Sequence, residues 1–387
     1  MTAAPVTESG LASALRPFGE STMLPAEAYT SDEVLAWERR HFFAGSWVCV
    51  GRVDALLPDG TTQHACTVGD VPVLLVREPG SSASASASAS AEVRAFANTC
   101  RHRGHELLGD GESSSKRALV CPYHAWSYDL AGCLLAAPGF REVGSFEPSA
   151  HGLVPLPVQV WHGWVFVNAS GESSTSFEDH VGGLTGLVTP YAPEALTLRA
   201  RHDYVVRANW KVVTENYHEC YHCPLIHPEL CQVSPPSSGE NFDLPGAWVG
   251  GSMDLRDDAV TMSFDGTSRG RPIDGADQRQ VLYLGLLPNL LLSLHPDYVM
   301  THRMTPLSPG ETQVECAWYF PDADVDPSYA VEFWDRTNRQ DWAACESVQR
   351  GLASPHFAPG PLAPNEDAVH QFVTAIGTGY RTGSLPV

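Results

Sequence analysis

The sequence predicts an α+β protein: an all-β domain followed by a domain of antiparallel sheet and helices. Three observations predict it. From 47 to 168 the chain runs as short β-type segments split by turns. A Gly/Ser/Glu-rich stretch at 169–176 reads as a linker. Beyond it, strand-like runs alternate with helical ones, and the longest helical pattern comes late, at 327–352. The expected boundaries are an arm and helix over 1–45, a β domain over 46–170 and a mixed domain over 177–387.

Residues 1–24 lack periodicity and read as a loose arm. Ser31 is placed to cap a helix that opens on Asp32. The β runs include VPVLLVRE (71–78), VRAFAN (93–98), ALVCPYHAWSYD (118–129) and GWVFVN (163–168). A Ser/Ala repeat at 80–91 reads as a mobile hairpin tip without chemistry. In the second domain a strand at 198–210 leads into a helix at 211–222, and a Pro/Ser/Gly-rich loop follows at 233–246. The most apolar window, 281–294, is broken by Pro288 and Asn289 and is too short to span a bilayer, so it reads as a buried strand pair.

The 387 residues are 43% apolar, enough for two cores, and carry a net charge of −21. That balance excludes a nucleic-acid binder, which needs clustered Lys and Arg. It fits a cationic ligand or simply a solvated acidic surface. The start, MTAAPVTESG, has neither the basic nor the apolar region of a secretory signal, so the cytoplasm is the expected compartment. Ten cysteines mixed with histidines in such a chain point to metal before disulfides.

Two loops pair a cysteine with a nearby histidine: Cys100 with His102 and, after 18 intervening residues, Cys121 with His124. Two thiolates and two imidazoles can hold a [2Fe–2S] cluster, with the neutral rings raising its potential. Zinc is the alternative, but zinc fingers usually pair like with like, and here each loop supplies one of each. His105 reads as structural or solvent-facing.

The run NWKVVTENYHECYHCPLIHP (209–228) is dense in ligand types. His222 and His227 are candidates for a two-histidine, one-carboxylate iron site, which leaves open positions for O2. Pro224 breaks the helix between them. Asp341 is the chosen carboxylate, an Asp in mid-helix, with Glu346 in reserve. His218, four residues before His222, would share its face on a continuous helix and could compete as a ligand. Glu219 is placed to accept the other imidazole N–H of a ligand histidine. Cys220, Cys223 and Cys231 read as packing or supporting residues, because a lone C-x2-C is weak evidence for zinc.

Together these residues resemble the oxygenase (α) component of Rieske non-heme iron oxygenases, over about 25–375. The residues that carry the resemblance are Cys100, His102, Cys121-Pro122-Tyr123-His124, Trp126, Asn209-Trp210-Lys211, Glu215-Asn216, His222 and His227-Pro228. It implies a Rieske [2Fe–2S] domain, a helix-grip catalytic domain with mononuclear Fe(II), and a homotrimer. There Glu219 would bridge cluster and iron between subunits, with Asn216 supporting this region. Many ring-hydroxylating members carry Asp at that position. Glu219, with ENYHECYHCPLIHP, VQRGL and Pro359-Gly360-Pro361-Leu362, looks similar to the glycine betaine and quaternary ammonium N-demethylating branch. The implied reaction hydroxylates an N-methyl group with O2 and releases formaldehyde. The alternative on the same scaffold is ring dihydroxylation or O-demethylation of an aromatic acid.

No flavin or nicotinamide fingerprint is present, so electrons are expected from a separate flavin/ferredoxin-type NAD(P)H reductase. Arg101, Arg103, Lys116 and Arg117 form a basic spot where it could dock. A cationic substrate invites an aromatic cage, with Trp248, Phe264, Tyr283 and Trp318 as candidates. A substrate carboxylate would call for Arg303 or Arg256.

Overall fold

The computed structural model describes residues 3–78, 93–171 and 175–387. The Ser/Ala repeat at 80–91 lies outside the described residues, and the expected linker at 169–176 is described only in part. The chain divides into two compact units, Arg39–Phe177 and the pair Met1–Glu38 with Glu178–Val387. The second unit therefore contains the segment set apart in sequence as an arm.

The Arg39–Phe177 unit is built on short antiparallel sheets. Among its described residues, five strands run in the order Ser113–Ser114, Gln63–Val68, Val71–Arg77, Val93–Ala97 and Pro155–Leu156. A three-stranded sheet pairs Val48–Arg52, Trp164–Val167 and Val158–Trp161. Another joins Leu119–Val120, Ser127–Tyr128 and Leu134–Ala136. Leu74 and Val76 alternate into a core shared with Phe96, Trp126 and Tyr128.

The other unit centres on an antiparallel sheet. Seven described strands lie in the order Thr197–Val206, Glu311–Phe320, Val299–Ser308, Leu290–Leu294, Gln280–Leu286, Trp248–Asp254 and Glu240–Asn241. The apolar window 281–294 supplies two adjacent central strands, Leu290–Leu294 being buried on both faces. The long helix Ser328–Leu352 is tied to this sheet by Tyr204 donating to Asp335 (2.6 Å) and by His302 against Asn338 (3.1 Å).

The N-terminal segment is not loose. Leu11 and Ala14, one turn apart, bury one side of a helix at Glu8–Ala14, and the Ala4 N–H donates to the Tyr380 carbonyl. The Ser31 hydroxyl does accept the Val34 N–H at 3.3 Å. The expected helix at 211–222 is shorter: it spans Trp210–Tyr217, capped by the Asn209 side chain accepting the Lys211 N–H. Its start is anchored by a buried cluster in which Lys211 Nζ meets Glu38 (2.6 Å), with Trp210 and Tyr380 donating to the same carboxylate. Among the described residues no helix is long and apolar enough to cross a membrane.

Candidate metal centres

In the β unit the two Cys/His loops close with the same turn. Gly104 N–H donates to the Cys100 carbonyl and Ala125 N–H to that of Cys121, each at 3.0 Å. Gly104 and Ala125 both take left-handed φ, 75° and 57°. Ala125 bears the Cβ penalty that Gly104 avoids, a backbone the surrounding loop must over-determine.

The turns send the two residue types in opposite directions. Cys100 and Cys121 are each 2% exposed, unbonded to other cysteines and part of the domain core. His102 is half-buried and His124 exposed, their rings 4.7 Å apart. His102 stacks on Trp126 at 5.0 Å. The Tyr128 hydroxyl accepts the Arg101 N–H (3.0 Å), leaving its own proton for Cys100 Sγ at 3.3 Å. Burial, and then the neighbouring Cys100 sulfur, push the Cys121 thiol above its usual range. Two buried sulfurs with two imidazoles at their rim form a donor set that fits a [2Fe–2S] cluster, thiolates on one iron and imidazoles on the other. His105 is exposed, its ring beside Tyr123.

The second constellation forms where the Trp210–Tyr217 helix gives out. Because the chain turns after Tyr217, His218 and His222 do not share one helical face, contrary to the i, i+4 expectation. His222 instead precedes the short helix Cys223–Ile226, and His227 sits between that helix and the next, Pro228–Val233. Pro224 and Pro228 each occupy a first turn, where a missing N–H costs nothing. His222 Nε2 and His227 Nε2 come within 3.1 Å, His227 Nε2 and Asp341 Oδ1 within 2.8 Å, and His222 Nε2 and Asp341 Oδ1 within 3.4 Å.

Three ligand atoms at these separations match adjacent positions around one ion, since bonds of roughly 2.1 Å at right angles set neighbours about 3.0 Å apart. Asp341 is delivered by the long helix, half-buried on the same stripe as the buried Trp334, Asn338 and Cys345, at spacings of three and four. Glu346 lies elsewhere, accepting the Arg207 backbone N–H at 3.2 Å.

Each ring is held from behind. Glu219 contacts His222 Nδ1 and also accepts the backbone N–H groups of Tyr221 and His222. The Gln340 amide oxygen accepts from His227 Nδ1 at 2.7 Å. With both Nδ1 atoms engaged, both Nε2 lone pairs face the common point. Burial disfavours a charged His222, but hydrogen bonds to Asp341 and Glu219 outweigh it and raise its pKa to about 9. Burial also opposes the Asp341 charge, and the bonds from His222 and His227 overcome that and lower its pKa. Such mutual dependence of charges fits a shared cation. Sequence reasoning missed Gln340, whose only signal was its place beside Asp341.

These groups open on a cavity of about 570 Å³. Of the four aromatics expected around it only Tyr283 lines it, while Tyr217, Trp334 and Trp342 were not anticipated. Trp318 is fully buried behind the sheet surface, Trp248 donates to the Pro245 carbonyl, and Phe264 packs on Phe333. Arg303 instead pairs with Glu315 (3.0 Å) and Arg256 donates to the Cys231 carbonyl (3.0 Å). Neither is among the lining residues, and the described lining contains no lysine or arginine but the carboxylates Glu219, Glu240, Asp341 and Asp367. Asn216 and His218 line it too. Both His218 nitrogens, the Tyr283 hydroxyl and Trp342 Nε1 have no hydrogen-bond partner among the described residues. Cys220 and Cys223, expected as packing residues, are joined by a disulfide, which their adjacent turn geometry permits.

Comparison with known proteins follows the same division. Residues 46–147 match the Rieske [2Fe-2S] domain, and residues 193–380 match the ring hydroxylating alpha subunit catalytic domain. The chain is 30% identical over 378 residues to the glycine betaine monooxygenase oxygenase subunit of Chromohalobacter salexigens, covering 88% of this chain and 81% of the relative. It is 36% identical over 212 residues to the carnitine monooxygenase oxygenase subunit of Escherichia coli, covering 54% and 53% of the two. Among solved structures, the quaternary ammonium Rieske monooxygenase CntA in complex with its substrate L-carnitine superposes with a TM-score of 0.74 at 25% identity, over 97% of this chain and 99% of that one. With both halves matched in order, the chain belongs to the Rieske non-heme iron oxygenases, as an oxygenase α subunit. It is an oxidoreductase whose domains are those that carry a Rieske [2Fe–2S] cluster and a mononuclear iron.

Proposed function

We propose that the protein hydroxylates an N-methyl group of a quaternary ammonium compound of the glycine betaine type, releasing formaldehyde and the demethylated amine. The observation that carries this reading is the cavity beside His222, His227 and Asp341: aromatic faces and carboxylates, with no lysine or arginine in the described lining. A quaternary ammonium is held by ring faces and drawn to negative charge. An aromatic acid, the alternative substrate, would set its net negative charge against Glu219 and Asp341. The relatives named for glycine betaine, carnitine and choline support the same class.

In this reading Cys100, His102, Cys121 and His124 hold the cluster, and His222, His227 and Asp341 hold Fe(II). When bound, these groups supply electron delivery and O2 activation. The chain's own part is positioning. Glu219 and Gln340 fix the two ligand rings. Tyr217, Tyr283, Trp334 and Trp342 wall the cation, so that a methyl group rather than a chain carbon faces the metal. The Tyr283 hydroxyl and Trp342 Nε1–H are neutral donors for a betaine carboxylate. Once hydroxylated, the N–CH2OH group collapses without an enzymic acid–base pair: the hydroxyl proton passes to water, the C–N bond breaks with its electron pair going to nitrogen, and formaldehyde leaves.

We further propose that electrons come from a separate flavin/ferredoxin-type reductase, and that the active form is a homotrimer. There Glu219 links His222 to a cluster-ligand histidine of a neighbouring copy, and Asn216 supports that link. The deciding experiment supplies the iron-loaded protein with NADH and a surrogate reductase. O2 uptake and formaldehyde are followed with glycine betaine, choline, carnitine, stachydrine and aromatic acids. Formaldehyde equal to O2 with a quaternary amine is expected. Coupled uptake with an aromatic acid alone would sink the substrate reading.

A further inference from the structure

The Cys220–Cys223 disulfide spans the stretch that carries His222 and follows directly on Glu219. Both cysteines line the cavity. Cys220 is half-buried and Cys223 is 3% exposed. The remaining cysteine of this segment, Cys231, is unbonded. Two sulfurs capable of exchanging two electrons therefore stand in the wall of the compartment assigned to O2 chemistry. In the bonded state the metal-ligand set is still assembled, with His222 Nε2 3.1 Å from His227 Nε2 and 3.4 Å from Asp341 Oδ1.

We propose that Cys220 and Cys223 are a redox site that consumes hydrogen peroxide released in the cavity, closing to a disulfide without dismantling the iron ligands. The inference rests on the O2 reactivity of this cavity and is independent of which substrate occupies it. Peroxide is the two-electron reduction product of O2 and arises whenever electrons arrive without a substrate to oxidise.

The chemistry balances with peroxide as the only oxidant. The Cys220 sulfur, the more accessible one, attacks peroxide as a thiolate; the O–O bond breaks and one oxygen leaves as water, giving a sulfenic acid. The Cys223 sulfur then displaces the second oxygen, again as water, and the S–S bond forms. Two thiols lose two protons and two electrons, and one peroxide takes up both and becomes two waters. A dithiol reductant reverses the oxidation by exchange. Forming a bond across Tyr221 and His222 restricts the loop further, which favours the ligand geometry over its alternatives.

The test treats dithiol-reduced holoenzyme with stoichiometric peroxide under argon and maps the cysteine peptides by mass. The expected result is that the peptide joining Cys220 and Cys223 loses two hydrogen masses before any other cysteine gains oxygen. Cys220→Ser and Cys223→Ser holoenzymes, each compared with its own untreated sample, should lose bound iron roughly threefold faster under peroxide. If another cysteine oxidises first, or the pair stays reduced, the inference is overturned by wild type alone. Equal rates of iron loss in wild type and variants overturn it as well. Because peroxide is added from outside, a failure of the quaternary ammonium assay leaves this result readable.

Discussion

In the proposed iron site, His222 and His227 depend on residues that would not touch the metal. Glu219 and Gln340 decide which nitrogen of each ring faces inward. Gln340→Ala should therefore weaken iron binding by about 10–100-fold, and Asp341→Ala by more, while the visible absorption of the cluster is unchanged. Iron retained after dialysis against a graded chelator measures both; equal retention in Gln340→Ala and wild type would refute the role given to Gln340. Gly285 matters for a different reason. A Cβ there would come 2.3 Å from His218 Nε2, so Gly285→Ala must expel the His218 ring from the cavity wall or shift the strand. The expected outcome is a raised KM with a smaller change in kcat. A purely stability-linked loss, with KM unmoved, would contradict it.

At the scale of elements, the Trp210–Tyr217 helix is held at its start by a charge pair that water does not reach. Lys211 and Glu38 are both fully buried, so Lys211→Ala leaves an uncompensated carboxylate and should cost about 3–5 kcal/mol in urea unfolding. Buried histidines on the surrounding elements add a pH dependence. Burial depresses His180 and His302 to about 4 and His218 to about 3. Each is neutral when folded and binds a proton near pH 6.5 when unfolded, so its contribution is full above that pH and is lost as pH falls toward the folded value. The three together should remove up to about 4 kcal/mol per pH unit below pH 6 from the metal-free protein. Urea midpoints at pH 7, 6 and 5 check this, and a flat profile across that range would refute it.

The same elements show what sequence patterns reveal. Local signals carried well: the alternating strands, the apolar pair at 281–294, the Ser31 cap and the helix bearing Asp341 all rest on short-range periodicity. The helix after Trp210 ended at Tyr217, not at 222, because the turn through Glu219 is closed by that residue's own side chain, which no periodicity encodes. The cavity-lining aromatics Tyr217, Trp334 and Trp342 escape a sequence reading for a similar reason. A tryptophan on a helix reads as core until the opposing sheet shows that it faces a cavity.

For the whole molecule, charge is the governing quantity. Against a net charge of −21, Arg101, Arg103, Lys116 and Arg117 are all exposed in the cluster domain. A patch of this sign should speed encounter with an acidic electron donor and lose that advantage with salt. Arg101→Glu with Arg103→Glu should slow reduction of the cluster several-fold at low ionic strength and flatten its salt dependence. Unchanged rates in stopped flow would remove the patch from the docking surface.

The interrupted unit, Met1–Glu38 with Glu178–Val387, has a consequence for biosynthesis. A ribosome has made all of the compact unit 39–177 long before it has made the helix Asp367–Thr382, against which Ala4 is hydrogen-bonded at Tyr380. Cluster assembly can thus begin on the nascent chain, whereas the unit that carries His222, His227 and Asp341 must wait for that helix. Until then residues 3–38 wait without the partner that orders them while the intervening chain is made.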